Sequence, residues 1–184
     1  MIPLRNTAER YGAVAQTLHW TVVVLIIVQV SLALIADDLP RGVEKLALIS
    51  RHKSFGITIL ALVVLRIVWR LLSAPPPLPP LPRWQHIAAK VSHWGMYALL
   101  LAMPLSGWMM SSSANYPVSW FGLFQLPDLV APSKPLNDLM HDSHEAFAIL
   151  LLTLIGLHVA AALKHQFWDR DSVLPRMLPF RRRT

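Results

Sequence analysis

Four long apolar runs, separated by short stretches rich in proline and charge, divide the chain. The first covers about 14–36 and is ended by Asp37, Asp38 and Pro40. The second, about 52–72, is rich in Ile, Leu and Val and closes with Arg66 and Arg70, one helical turn apart on one face. The third, about 87–110, contains Pro104, which is expected to kink a helix and free a backbone carbonyl. The fourth runs over about 144–163. A helix needs about 20 apolar residues to cross a bilayer whose hydrocarbon is roughly 30 Å thick, and each run meets that length. The pattern predicts an all-α fold: an integral membrane four-helix bundle, with residues 1–184 forming a single domain.

The connections carry their own signals. Residues 37–50 form a short segment of mixed charge, and APPPLPPLP (Ala74–Pro82) excludes helix and reads as a stiff polyproline-type connector. Residues 111–140 read as a long loop with Trp120, Phe121 and Phe124 among prolines, an interfacial lid lying on the membrane surface. Arg5 and Arg10 precede the first run as they would a signal peptide. Its apolar core from Trp20 to Ala36 is longer than a signal core, however, and no A-x-A-like site follows, so it is read as retained.

Composition narrows the chemistry. The chain is 54% hydrophobic with a mean hydropathy of +0.46, which excludes an ordinary soluble domain. Cysteine is absent. That excludes disulfides, iron–sulfur ligation, thiolate haem ligation and covalent c-type attachment, leaving His, carboxylate or Met as ligands. The net charge of +7 belongs to residues flanking membrane spans rather than to a nucleic-acid surface, because the arginines are scattered between apolar runs. Arg5 and Arg10 mark the N-terminal tail; Arg66, Arg70, Arg83 and Lys90 flank the proline connector. Lys164, Arg170, Arg176 and Arg181 to Arg183 mark the C-terminal tail. The third connection has Lys134 against Asp128, Asp138 and Asp142. The positive-inside rule therefore predicts both termini and the proline connector in the cytoplasm. Arg41, Lys45, Arg51 and Lys53 then fall on the outer side and need another purpose.

The histidines carry the candidate chemistry. His144 and His158 bracket the fourth run; fourteen residues of helix rise about 21 Å and return to within roughly 40° of a whole number of turns. Both imidazoles thus face one way, one near each side of the membrane. A neutral imidazole ligates haem iron well, and leaving one unpaired in a membrane is costly. Two haems stacked across the bilayer are expected. His52 lies at the depth of His144; His19 and His93 both lie at the depth of His158, so the inner partner is left open by geometry. His141 sits about 100° off that face and is assigned to the loop. His86 is read as solvated in the connector, and His165 as able to meet a haem propionate. Gly12, Gly56 and Gly156 would admit either a porphyrin or a neighbouring helix, and Arg66 and Arg70 either propionates or lipid headgroups.

Taken together, LHW (18–20), RHKSFG (51–56), RIVWR (66–70), the proline connector, SHWGMYALLLAMPLSGWMM (92–110), SHEAFA (143–148) and GLHVAAALKHQFW (156–168) give a resemblance over nearly the whole chain. The chain resembles the bacterial cytochrome b561 family of small four-helix dihaem membrane proteins, related to the b-type cytochrome subunits of membrane hydrogenases and formate dehydrogenases. The resemblance implies haem b at two sites, with axial pairs His19–His158 and His52–His144, and His93 off the iron beside a propionate. It implies a bacterial inner (plasma) membrane location and electron transfer between a periplasmic donor, superoxide, and ubiquinone, as in a superoxide:ubiquinone oxidoreductase. The outer cations would then steer a small anion, or else bind lipid phosphates. The alternative is a cytochrome b anchor passing electrons from a partner dehydrogenase or hydrogenase to quinone; a non-redox metal-binding bundle is a third class. Implied partners are membrane lipid, ubiquinone, superoxide and a redox partner protein, with no nucleic acid. Gln29, Asn115, His93 and Trp94 offer polar handles for the quinone at different depths, with none preferred.

Overall fold

The computed structural model describes residues 3–77, 81–171 and 173–179. Four helices dominate: α1 (Ala13–Asp38), α2 (Val43–Leu72), α3 (Arg83–Ser113) and α4 (Lys134–Lys164), the last continuing into a π-helical stretch, His165–Asp169. A two-strand hairpin, β1 (Ser119–Trp120) with β2 (Phe124–Gln125), lies between α3 and α4. Ala13–Asp38, Val43–Leu72 and Lys134–Asp169 are each long and apolar enough to cross a membrane. α3 is as long as α4, at 31 residues, but Ser, His and Lys dilute its apolar positions. The architecture is a membrane helical bundle.

Every helix overruns its apolar run. α4 starts at Lys134 because Ser133 caps it, its hydroxyl accepting from Leu136 N–H at 3.4 Å, with Pro135 in the first turn. Hydropathy marks where a helix leaves hydrocarbon, not where it ends. The loop expected over 111–140 is therefore much shorter, and His141 lies inside α4, exposed beside Asp142. His86 likewise lies in the first turn of α3, half-buried, rather than in the connector. α3 runs unbroken through Pro104. Of the proline connector, Leu78 to Pro80 lie outside the described residues, as do Arg181 to Arg183 of the basic tail.

The bundle is open on one side. α1 packs along α2, α3 along α4, and α2 against α3, yet no Cα of α1 or α2 comes within 8 Å of α4 among the described residues. Close helix packing brings axes to about 8–10 Å, so a cleft separates α4 from the α1–α2 pair. Midway along it, Val22, Ile59, Val63, Tyr97, Leu100 and Leu151 form one apolar cluster drawn from all four helices. Gly95 lets α3 approach α4 here: a Cβ at 95 would sit 3.1 Å from Leu154 Cδ1.

Each end of the bundle is closed by polar contacts. At one end the buried Ser54 hydroxyl lies 3.0 Å from the Ser119 carbonyl and accepts from Phe121 N–H at 3.0 Å, while Trp120 Nε1–H donates to Thr58 Oγ1 at 3.0 Å. The hairpin is thereby pinned onto α2, and Phe121 is held at φ 50°, a conformation a bulky residue rarely adopts. At the opposite end the N-terminal segment, the start of the connector and the C-terminal segment meet. Asn6 Nδ2 donates to the Ser73 carbonyl at 2.9 Å, Tyr11 N–H to the Arg176 carbonyl at 3.2 Å, and Arg176 to the Pro77 carbonyl at 2.7 Å. Both terminal segments therefore lie at the same end.

Candidate functional site

The cleft holds two groups of histidines, one toward each end. At the hairpin end, His52 of α2 faces His144 of α4 with ring centroids 6.3 Å apart and planes at 68°. At the end where the termini meet, His19 of α1 faces His158 of α4 at 6.5 Å and 79°. His93 of α3 stands closer to His158, at 5.5 Å. All four histidines read from the sequence as ligands are thus brought together in facing pairs, and each pair bridges α4 to the α1–α2 half where the backbone leaves a gap.

The surroundings are apolar and cationic. His19 Nδ1 and His52 Nδ1 are buried without a protein hydrogen-bond partner, a costly state for a polar atom unless a ligand completes the site. Arg66 lies among His19, His93 and His158, with its guanidinium 5.6 Å from the Tyr97 ring. Arg70 lies 5.7 Å from the Trp94 ring and 5.9 Å from that of Tyr97. Among the described residues neither arginine has a carboxylate partner. This donor set of imidazoles beside cations that lack a carboxylate partner fits an iron porphyrin, whose metal takes nitrogen ligands and whose propionates are anionic.

The chain matches the prokaryotic cytochrome b561 family over residues 10–180. It belongs to that family. It is 33% identical over 180 residues to cytochrome b561 homolog 2 of Escherichia coli (strain K12), covering 94% of this chain and 93% of that one. It is 29% identical over 176 residues to cytochrome b561 homolog 1 of the same organism, covering 95% and 99%. It is 31% identical over 175 residues to a Yersinia pestis protein named "Probable superoxide oxidase CybB", covering 95% and 98%. As a cytochrome b561, the chain is a membrane electron-transfer protein, and membership of the family implies haem b as its cofactor.

Several secondary readings of the sequence take a different form in this cytochrome. A Cβ on Gly12 would strike the backbone of Leu4 and Arg5, so Gly12 serves the N-terminal turn and not a porphyrin. A Cβ on Gly56 would sit 3.3 Å from Gln29 Nε2, whereas one on Gly156 meets nothing within 4 Å. His165 is engaged by Asp171 at 2.6 Å and Asp169 at 3.3 Å; those carboxylates disfavour a propionate there. Lys45 donates to the carbonyls of Asp37 and Leu39 at 3.4 and 3.1 Å, capping α1, and Lys53 lies 5.8 Å from the Tyr116 ring. Arg41 and Arg51 remain exposed. Two neighbours of His144 escaped the sequence reading: Ser106, whose Oγ lies 3.0 Å from Nδ1, and Gly107, where a Cβ would sit 3.1 Å from the imidazole Cε1. No periodic signal marks either one.

Proposed function

We propose that this cytochrome holds two haems b, one between His52 and His144 and one between His19 and His158, and carries electrons between superoxide and ubiquinone. The observation that carries the reading is the pair of facing histidines at each end of a cleft the backbone leaves open. A metal shared by two imidazoles, at about the 2.0–2.1 Å usual for a zinc–imidazole nitrogen bond, would set the ring centres ~6.3 Å apart once roughly 1.1 Å is added from each nitrogen to its ring centre. Separations of 6.3 and 6.5 Å match that figure, while the 5.5 Å between His93 and His158 falls short. This supports His19 rather than His93 as the inner ligand.

Haem supplies a one-electron relay; the chain supplies its placement. The histidines fix the two sites about 21 Å apart along α4. The apolar cluster around Val63 and Leu151 lies between them and keeps water out of the path. Arg66 and Arg70 supply positive charge beside the inner site, suited to balancing propionate. In this reading the protein sits in the bacterial inner membrane with both termini cytoplasmic and the hairpin end facing the periplasm, in line with the arginine distribution. Superoxide as donor draws on the name of the Yersinia relative and on the exposed Arg41 and Arg51 at the end of the bundle that carries the outer pair. The test is to purify the protein from membranes, count haem by pyridine haemochrome, and follow haem reduction by generated superoxide before and after adding oxidised ubiquinone. Two low-spin haems, reduced by superoxide and reoxidised by the quinone, support the reading. Haems inert to superoxide but reduced by a co-purifying dehydrogenase would assign the protein to the anchor class instead.

A further inference from the structure

We infer that Ser106 is a positioning residue for the outer haem: it holds His144 as the Nδ1–H tautomer and raises the electron donation of that ring. The inference rests on the proposal that His144 is an axial ligand. Ser106 is 4% exposed, and its Oγ–H donates to the Met103 carbonyl at 2.8 Å. A hydroxyl has one proton, so with that proton committed the oxygen 3.0 Å from His144 Nδ1 acts as acceptor. The Met103 carbonyl, which can only accept, also lies against the ring. Nδ1 therefore carries the hydrogen, and the Nε2 lone pair is left for the metal. Gly107 completes the seat: the space a Cβ would fill there lies 3.1 Å from the imidazole Cε1, so the ring is fixed by contact as well as by hydrogen bonding.

The arrangement makes the two haem sites unequal. His19 Nδ1, at the inner site, is buried without a protein hydrogen-bond partner, whereas His144 Nδ1, at the outer site, has a buried hydroxyl. An acceptor on the far nitrogen pushes electron density onto the ligating one, which stabilises the oxidised metal and lowers the potential of that haem. Ser106 thus biases electrons to leave the outer haem toward the inner one.

The test compares Ser106→Ala, Ser106→Thr and His144→Ala in the purified holoprotein, reading each haem by redox titration and by low-temperature electron paramagnetic resonance. Ser106→Ala is expected to keep both haems, raise the midpoint potential of the outer haem alone, and shift only that haem's low-spin signal. It should also weaken outer haem retention by about tenfold, the lower end of the range for loss of such a hydrogen bond. Ser106→Thr keeps the hydroxyl and should restore the potential and signal. An outer haem whose potential and signal are unchanged in Ser106→Ala overturns the inference, as does an equal shift of both haems. His144→Ala reports on the underlying reading separately: if it retains both haems, the ligand assignment itself fails, whatever Ser106→Ala shows.

Discussion

Trp20, two turns into α1, donates its indole N–H to the carbonyl of Met177 at 2.9 Å. The contact ties the first helix to the C-terminal segment across nearly the whole length of the chain. Gln16 adds a second link, its amide donating to the Tyr11 and Arg176 carbonyls at 2.9 and 3.3 Å. With both terminal segments at one end, the number of crossings is even. Reporter fusions at the N- and C-termini should therefore be active in the same compartment, the cytoplasm. A fusion after Tyr116, between α3 and the hairpin, should report the opposite one. Termini on opposite sides would break the four-crossing arrangement.

Replacing Trp20 by Phe keeps an aromatic, if smaller, side chain but leaves the Met177 carbonyl without its donor. The expected cost is about 1 kcal/mol, seen as a lower unfolding midpoint in detergent and faster proteolysis after residue 170, with both haems retained. A Trp20→Phe protein as resistant as the parent would show that the tail is held by its other contacts.

The histidine pairs make a sharper prediction. His52→Ala or His144→Ala should release the haem at the hairpin end, and His19→Ala or His158→Ala the haem at the other end, each halving the haem-to-protein ratio. His93→Ala should keep both, because its ring stands too close to His158 for a metal to lie between them in a straight line. If His93→Ala instead empties the inner site while His19→Ala preserves it, the inner pair is misassigned.

Much of this was legible in one dimension. The fourteen-residue interval between His144 and His158 survives as a line of two imidazoles along α4, because helical rise and twist are set by the backbone alone. The depth match of His52 with His144 and of His19 with His158 follows from where each apolar run begins. Helix ends were not legible from hydropathy: polar turns such as Lys134 to Asp142 stay helical once Ser133 caps them. Contacts between distant residues left no periodic trace. Ser106 on His144, Trp120 on Thr58 and Trp20 on Met177 are separated by 38, 62 and 157 positions. Two of the four outer basic residues also changed meaning, Lys45 becoming a helix cap and Lys53 a neighbour of Tyr116.

Ser54 is the hub of the hairpin's attachment. Its oxygen lies 3.0 Å from both the Ser50 and Ser119 carbonyls and accepts from Phe121 N–H. Ser54→Ala leaves the Phe121 amide without its acceptor and removes one of the contacts that hold that residue at its unfavourable backbone angle. The expected loss is about 1–3 kcal/mol, with the hairpin freed first. Hydrogen exchange at 119–125 should accelerate more than exchange in the middle of α2. Uniform acceleration of both would mean that the hairpin unfolds only with the bundle.

For superoxide, the donor proposed above, the exposed arginines at the hairpin end set the expectation. Arg41 and Arg51 lie at the hairpin end without a carboxylate partner among the described residues. A small anion approaching through water is attracted by such charges over about 10 Å at 0.1 M salt, and over less as salt rises. Haem reduction by superoxide should therefore slow with increasing ionic strength. Arg41→Gln with Arg51→Gln should lower the low-salt rate severalfold and flatten the salt dependence, leaving both haem spectra and reduction by ubiquinol unchanged. Lys45→Gln is the control of opposite kind: its ammonium caps α1, so its loss should lower stability more than it lowers the rate. A superoxide rate indifferent to salt and to both arginines would remove steering from the account and leave those cations to the lipid phosphates.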